Sequence, residues 1–175
     1  MWKVNEKKTA VGNDGSRPLC TKEATVLGEG PRRAQIMLVG QNPGKEEVKQ
    51  GRPFVGRSGQ FLNRVLKDAG LERHKLYLTN VVKEPTPNNR KPTPEETRRW
   101  MPYLVAEVNR VKPRFIVLMG QVAWKTPRLK EIEYIETYHP AAAMRFPKAR
   151  QKFLADFGAL KDKVAAIKDR SSEAG

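Results

Sequence analysis

Four short apolar runs, separated by stretches of helical spacing, constrain this chain more than any other feature. They are "IMLV" at 36–39, "LYLTNVV" at 76–82, "RFIVLM" at 114–119 and "IEYIETY" at 132–138. The first three have the compact apolar character of strands buried on both faces. Between them, 58–69 sets Phe61, Leu62, Val65, Leu66 and Ala69 on one helical face, with Gly70 as a natural stop. A second helix is expected over 94–111, with Thr93 as N-cap, Pro94 in the first turn and Glu96 completing a capping box. Pro102 is expected to kink or divide it. A short helix follows from Gln121, and a last one over 147–168 repeats Phe153, Phe157, Leu160, Val164 and Ile167 as a core stripe. Alternating strands and helices predict an α/β sandwich with a mainly parallel sheet.

The 175 residues fit a single domain over 1–170. An irregular N-terminal arm is expected over 1–33, where "VGNDGSRP" and "LGEGPRR" are strong breakers, and a frayed tail over 171–175. Lys and Arg number 34 against 19 Asp and Glu, a net charge of +15. Such an excess suits a polyanionic partner, because neutralised phosphates release counterions; the alternative is charge that serves solubility. Cys20 is the single cysteine, which excludes an internal disulfide and any site built from several thiolates. No apolar run approaches the ~20 residues of a membrane span, and "MWKVNEKKTA" has no apolar signal core. An intracellular protein without a membrane partner is expected.

In open parallel sheets, ligands sit beyond the carboxyl ends of the strands. The first run leads into Gly40, Gln41, Asn42, Pro43, Gly44; the second carries Asn80; the third leads into "GQVAW"; the fourth leads into "YHPAAAMR" with His139 at its head. Amides and one imidazole thus gather on one rim with no metal-ligand cluster. An Asn side chain offers a donor and an acceptor, enough to read an N–H and C=O edge of a nucleobase. A His can stabilise an oxyanion on a departing ring. No Ser–His–Asp set or phosphate loop is present. Each residue also has a purely structural reading: Gln41 and Asn42 as turn formers, His139 as a satisfied structural histidine, Phe54 as core. Basic stretches "RHK", "NNRKP", "KTPRLK" and "RFPKARQK" suit phosphate contacts or a solvated face.

The stretches "GEGPRRAQIMLVGQNPGKEEVKQGRPFVGRSGQFLNRVL", "YLTNVVKEPTPNNRKPTPEE", "RFIVLMGQVAW" and "YHPAAAMR" occur in one order over about residues 28–147. The ordered set resembles the uracil-DNA glycosylase superfamily, in particular its family 4, iron–sulfur branch. The resemblance implies a three-layer α/β/α sandwich around a four-stranded sheet. It also implies hydrolysis of the N-glycosidic bond of a base flipped out of DNA. By resemblance, Gly40 and Gln41 line the base pocket and Asn42 holds the attacking water. Phe54 stacks on the base, Asn80 reads its edge, and His139 stabilises the departing oxygen.

Three departures accompany it. Family 4 reads "GEAPG" where this chain reads "GQNPG", closer to branches in which Asn is the catalytic amide. The cluster cysteines are replaced by Glu84 and, in the following helix, Trp100; with Cys20 alone, no iron–sulfur cluster and no other cofactor is expected. After His139-Pro140 comes "AAAM", leaving Met144 or Arg145 to fill the gap of a flipped base, with Lys148 as a further DNA contact. The expectation is a monomeric, monofunctional glycosylase acting on uracil in single- or double-stranded DNA. The alternatives are hypoxanthine or xanthine as the base, or a catalytically inactive DNA-binding homologue.

Overall fold

The computed structural model describes residues 24–173, with side chains as far as Ile167. Cys20 and residues 1–23 of the expected arm lie outside the described residues. From 24 to 33 the chain is irregular apart from an antiparallel bridge between Glu29 and Leu78. Four strands follow: β1 (Ile36–Gly40), β2 (Tyr77–Asn80), β3 (Phe115–Met119) and β4 (Glu133–Thr137). All pair in parallel, in the order β2-β1-β3-β4. The chain steps outward from β1 to β2, then crosses back to β3. The carboxyl ends of β1 and β3 therefore flank a switch point, where an open sheet leaves a crevice.

Alternation along the strands builds the three layers. Leu38, Leu78 and Val117 face one side and pack with Phe61, Leu62, Leu66, Phe153, Phe157 and Leu160. These come from α2 (Arg57–Asp68) and α6 (Pro147–Glu173), with α5 (Pro140–Arg145) beside them. Met37, Val39, Ile116 and Leu118 face the other side and pack with Trp100, Leu104, Val108 and Val122. Those belong to α3 (Pro94–Val111) and α4 (Gln121–Trp124). β1, β2 and β3 are buried along their whole length, whereas β4 is an edge strand with mixed exposure.

The expected capping box is present: Glu96 N–H donates to Thr93 Oγ1 at 3.2 Å, and Thr93 N–H to Glu96 Oε2 at 2.9 Å. Pro102 lies inside α3 without dividing it; it removes one bond to the Arg98 carbonyl, and Arg98 is exposed, so water can serve that carbonyl. Of the expected tail, residues 171–173 are the last of α6, which runs to Glu173. α1 (Lys45–Gln50) and α5 have no counterpart in the sequence reading; at six residues each, they are too short to show a period.

A buried polar network ties α3 to β2. Lys83 Nζ lies 2.6 Å from Glu107 Oε2, 2.6 Å from Thr79 Oγ1 and 2.5 Å from the Asn80 carbonyl. Glu107 also accepts from Thr79 Oγ1 at 2.9 Å, Tyr77 Oη at 3.1 Å and Gly28 N–H at 3.3 Å. Burial pushes the Lys83 ammonium below its ordinary range, and Glu107 opposes that shift. Burial, reinforced by Glu107, pushes the Tyr77 phenol upward. Lys83→Met strands the Glu107 charge and is expected to cost about 3–5 kcal/mol in urea unfolding. Lys83→Met combined with Glu107→Leu is expected to recover much of that loss. A single substitution that leaves the midpoint unchanged would show that the pair carries no such charge.

Candidate active site

Beyond the carboxyl ends of the strands lies a cleft of about 1070 Å³. Gln41, Asn42, Phe54, Asn80, His139, Met144 and Arg145 all line it. The fold brings together these seven sequence-derived candidates from four separate chain segments. Gly40 lies directly beneath them. A methyl group on Gly40 would lie 2.5 Å from Asn80 Oδ1 and 2.5 Å from Phe54 Cζ. Its use is close approach: only without a side chain can the Phe54 ring and the Asn80 amide both close over the end of β1. Lys148 does not line the cleft; it stands exposed in the first turn of α6.

Asn80 ends β2, and its backbone carbonyl is held by Lys83. Four buried side-chain atoms among the described residues lack a partner: Thr25 Oγ1, Asn80 Oδ1, Trp100 Nε1 and Thr137 Oγ1. Of these, only Asn80 belongs to a residue lining the cleft. An orphaned buried acceptor costs about 1–3 kcal/mol, and a ligand N–H at this point would offset that cost.

His139 caps α5, with its Nδ1 accepting from Ala141 N–H at 3.2 Å. That bond fixes the neutral tautomer: the proton sits on Nε2. Burial pushes the imidazole down to about 4, against the opposing charge of Glu47. Its accessible area is intermediate, because one edge meets the cleft while protein surrounds the rest. The ring lies 6.5 Å from the Phe54 ring, centroid to centroid, at 34°.

Asn42 Nδ2 donates to Thr86 Oγ1 at 3.2 Å, and the Thr86 hydroxyl donates onward to the Arg90 carbonyl. With its NH₂ end so used, the amide keeps Oδ1 as its acceptor for other partners. Gln41 reaches toward Gly120, where φ is +92° and an added methyl would lie 2.4 Å from Gln41 Nε2. A side chain there would displace Gln41 from the floor of the cleft.

Phe54 is the strained element. Its φ of 53° lies in the left-handed region, which costs a bulky residue about 1–3 kcal/mol. Gly59 presses on it so closely that an added methyl would lie 2.1 Å from the Phe54 carbonyl carbon. Glu47 Oε1 accepts from Val55 N–H at 3.1 Å and from Gly56 N–H at 2.9 Å, fixing the chain just after Phe54. Arg73 fixes it from the other side, donating to the Phe54 carbonyl at 2.8 Å and the Pro53 carbonyl at 2.6 Å.

Several cleft residues escaped the sequence reading. Glu47 lies within "GKEE"; its only cue is a glutamate three residues after a turn glycine. Lys45 and Arg57 line the cleft, with Arg90, Lys91 and Arg145. Of the four basic stretches, "NNRKP" contributes most fully to the cleft. "RHK" does not, since Arg73 is half-buried in the clamp on Phe54, and in "KTPRLK" Arg128 instead stacks on Tyr134 and pairs with Glu136. Met144 packs partly against the core, while Phe146, which follows Arg145, is 53% exposed beneath the Arg145 guanidinium. Phe146 was passed over because an exposed Phe and a buried one look alike in sequence.

The residues present do not fit the iron–sulfur cluster that the resemblance implies. Glu84 pairs with Arg99 at 2.8 Å. Trp100 is buried in the α3 layer, 4.9 Å from the Tyr103 ring. Neither supplies a thiolate, and the chain has a single cysteine.

A family profile described as the uracil DNA glycosylase superfamily matches residues 27–160. The Type-4 uracil-DNA glycosylase of Archaeoglobus fulgidus is 36% identical over 160 residues, covering 78% of this chain and 80% of the relative. That of Pyrobaculum aerophilum is 37% identical over 158 residues, covering 77% and 81%. That of Thermotoga maritima is 46% identical over 98 residues, covering 56% and 51%. The parallel β2-β1-β3-β4 sheet, the crevice at its switch point and these matches together establish that the chain belongs to the uracil-DNA glycosylase superfamily.

Proposed function

We propose that the protein is a monofunctional uracil-DNA glycosylase, hydrolysing the bond between C1′ and N1 of a uracil flipped out of DNA and leaving an abasic site. The observation that carries this reading is Asn80 Oδ1, a buried acceptor with no protein partner beside the Phe54 ring. Uracil presents N3–H next to a carbonyl, which matches the Oδ1 acceptor and Nδ2 donor of one amide. Phe54 offers its face for stacking. The names of the Type-4 relatives support uracil as the base.

Bond cleavage sends the C1′–N1 electron pair into the base, where the charge gathers on its oxygens. His139, neutral and protonated on Nε2, can donate to such an oxygen without first losing a proton of its own. Water attacks C1′ and gives up a proton to solvent. Asn42 Oδ1 accepts a hydrogen bond from that water and orients it; an amide is too weak to deprotonate it. Catalysis therefore leans on stabilising the departing anion more than on activating the nucleophile. Lys45, Arg57, Arg90, Lys91 and Arg145 would meet the phosphates around the flipped nucleotide. The reaction needs no metal or diffusible cofactor, and the protein acts as a monomer in this reading.

Labelled oligonucleotides carrying one uracil, hypoxanthine or xanthine test the proposal, single- and double-stranded, in EDTA, with and without alkali. Alkali-dependent scission at uracil is expected. His139→Ala is expected to slow it about 10²–10³-fold, the usual loss for one oxyanion donor. Asn42→Ala is expected to slow it with DNA binding retained. Scission of a purine substrate in preference would reassign the base. No scission at all, with salt-sensitive binding intact, would leave a DNA-binding protein.

The pH profile has a definite sign. His139 is held at about 4 in the folded chain, against 6.5 when unfolded. The folded state thus declines a proton that the unfolded state accepts between these values, so stability falls as pH drops from 6.5 toward 4. Turnover is expected to hold level through neutral pH and fall as pH approaches 4, where protonation removes the Ala141-to-Nδ1 bond. A turnover decline centred near 6.5 would contradict this environment.

Phe146, exposed just after Met144 and Arg145, is a third candidate to fill the flipped-base gap. Phe146→Ala is expected to lower cleavage of double-stranded substrate more than of single-stranded. Equal loss on both, or none on either, would remove it from that task.

A further inference from the structure

We propose that Arg73 is a positioning residue for base selection, acting through the backbone of Phe54 without touching the base. The inference rests on the uracil reading of the cleft. It starts from a mismatch: "RHK" has the composition of a DNA-contact stretch, yet the Arg73 guanidinium turns inward and spends its donors on the protein. Nη1 donates to the Phe54 carbonyl and to Asn63 Oδ1, both at 2.8 Å. Nη2 donates to the Pro53 carbonyl at 2.6 Å and pairs with Glu29 Oε1 at 3.0 Å.

Glu29 anchors this arginine to the sheet. Its backbone bonds Leu78 in both directions, at 2.8 and 2.9 Å, so its carboxylate is carried by β2 itself. Arg52 holds the second oxygen at 2.8 Å. Burial would raise the Glu29 carboxyl, and the bonds from Arg52 and Arg73 more than offset it, leaving it below the usual carboxylate range. A rigid line thus runs from β2 through Glu29 and Arg73 to the Pro53 and Phe54 carbonyls. Asn80, at the end of the same strand, reads the base edge in the proposed pocket. One strand therefore carries the edge reader and, through Arg73, fixes the stacking face opposite it.

The strain at Phe54 makes the clamp necessary. A left-handed φ at a phenylalanine relaxes unless several contacts determine it. Glu47 holds the two amides after Phe54 and Arg73 the two carbonyls up to it, while Gly59 backs the peptide. Lysine cannot replace Arg73, because one ammonium cannot span two carbonyls, Asn63 and Glu29 in a planar fork. With Arg73 lost, the ring can withdraw from Gly40. The slot would then widen toward the dimensions of a bicyclic base.

The experiment compares full-length protein with Arg73→Lys, Arg73→Ala and Glu29→Gln. Single-turnover cleavage of uracil and hypoxanthine is measured in the same sequence, together with affinity for undamaged DNA, melting temperature and hydrogen exchange at Val55 and Gly56. Expected results are a fall in uracil cleavage approaching about 10²-fold for Arg73→Ala, the order associated with small misplacement of a reacting group. Arg73→Lys is expected to give little rescue, the uracil-to-hypoxanthine preference to narrow, and affinity for undamaged DNA to stay unchanged. Faster exchange at Val55 and Gly56 is expected in both Arg73 variants. Folded variants with wild-type cleavage and preference would overturn the proposal, as would unchanged exchange. If Arg73→Ala does not fold, Arg73→Lys and Glu29→Gln carry the same comparison. A wild-type protein that cleaves no uracil would instead defeat the underlying reading, and hydrogen exchange would still judge the clamp.

Discussion

There is no room for a side chain at the end of β1. The Asn80 amide and the Phe54 ring both close on Gly40, each within 2.5 Å of where a methyl group would be. The cleft depends on that convergence. It needs β1 and β2 paired in register, with Gly40 opposite Asn80, so that the amide arrives beside the glycine. It also needs the Phe54 loop forced into a conformation that phenylalanine avoids.

The electrostatics of the site follow from burial more than from local charge. The chain carries +15, yet the groups nearest the proposed chemistry are amides, an aromatic ring and an imidazole held neutral by desolvation. Cations stand around the mouth of the cleft, where long-range attraction to phosphate serves association. Two carboxylates also line the cleft: Glu46 is exposed, and Glu47 is buried with its Oε1 committed to Val55 and Gly56. Behind Asn80, the Lys83–Glu107 pair satisfies the strand carbonyl and fixes the residue without presenting charge to the cleft.

The α3 layer is held by side-chain contacts at the positions where the resemblance implies cluster cysteines. An ion pair, Glu84 with Arg99, and an aromatic pair, Trp100 with Tyr103, occupy that region. Apolar burial and the Lys83–Glu107 bridge between β2 and α3 supply cohesion that needs no metal. Such contacts work together only once the sheet and helix are already apposed.

The sequence by itself determined the strand and helix alternation, the parallel sheet and the side of it that carries the site. Compact apolar runs and helical spacing are local signals, and "FIVLM" or "FLNRVL" can satisfy them in few ways. The candidates Asn42, Phe54, Asn80 and His139 were legible for the same reason, since each follows or ends a recognisable segment in a family order. Tertiary structure alone decided what holds them. Arg73 read as a surface cation and became a clamp, because the folded loop put two carbonyls within its reach. Lys83 and Glu107 are 24 residues apart and gave no pattern until α3 packed on β2. Phe146 became an exposed ring only when the α5–α6 corner turned it outward. Pairings across such separations depend on the path of the whole chain, which no local spacing records.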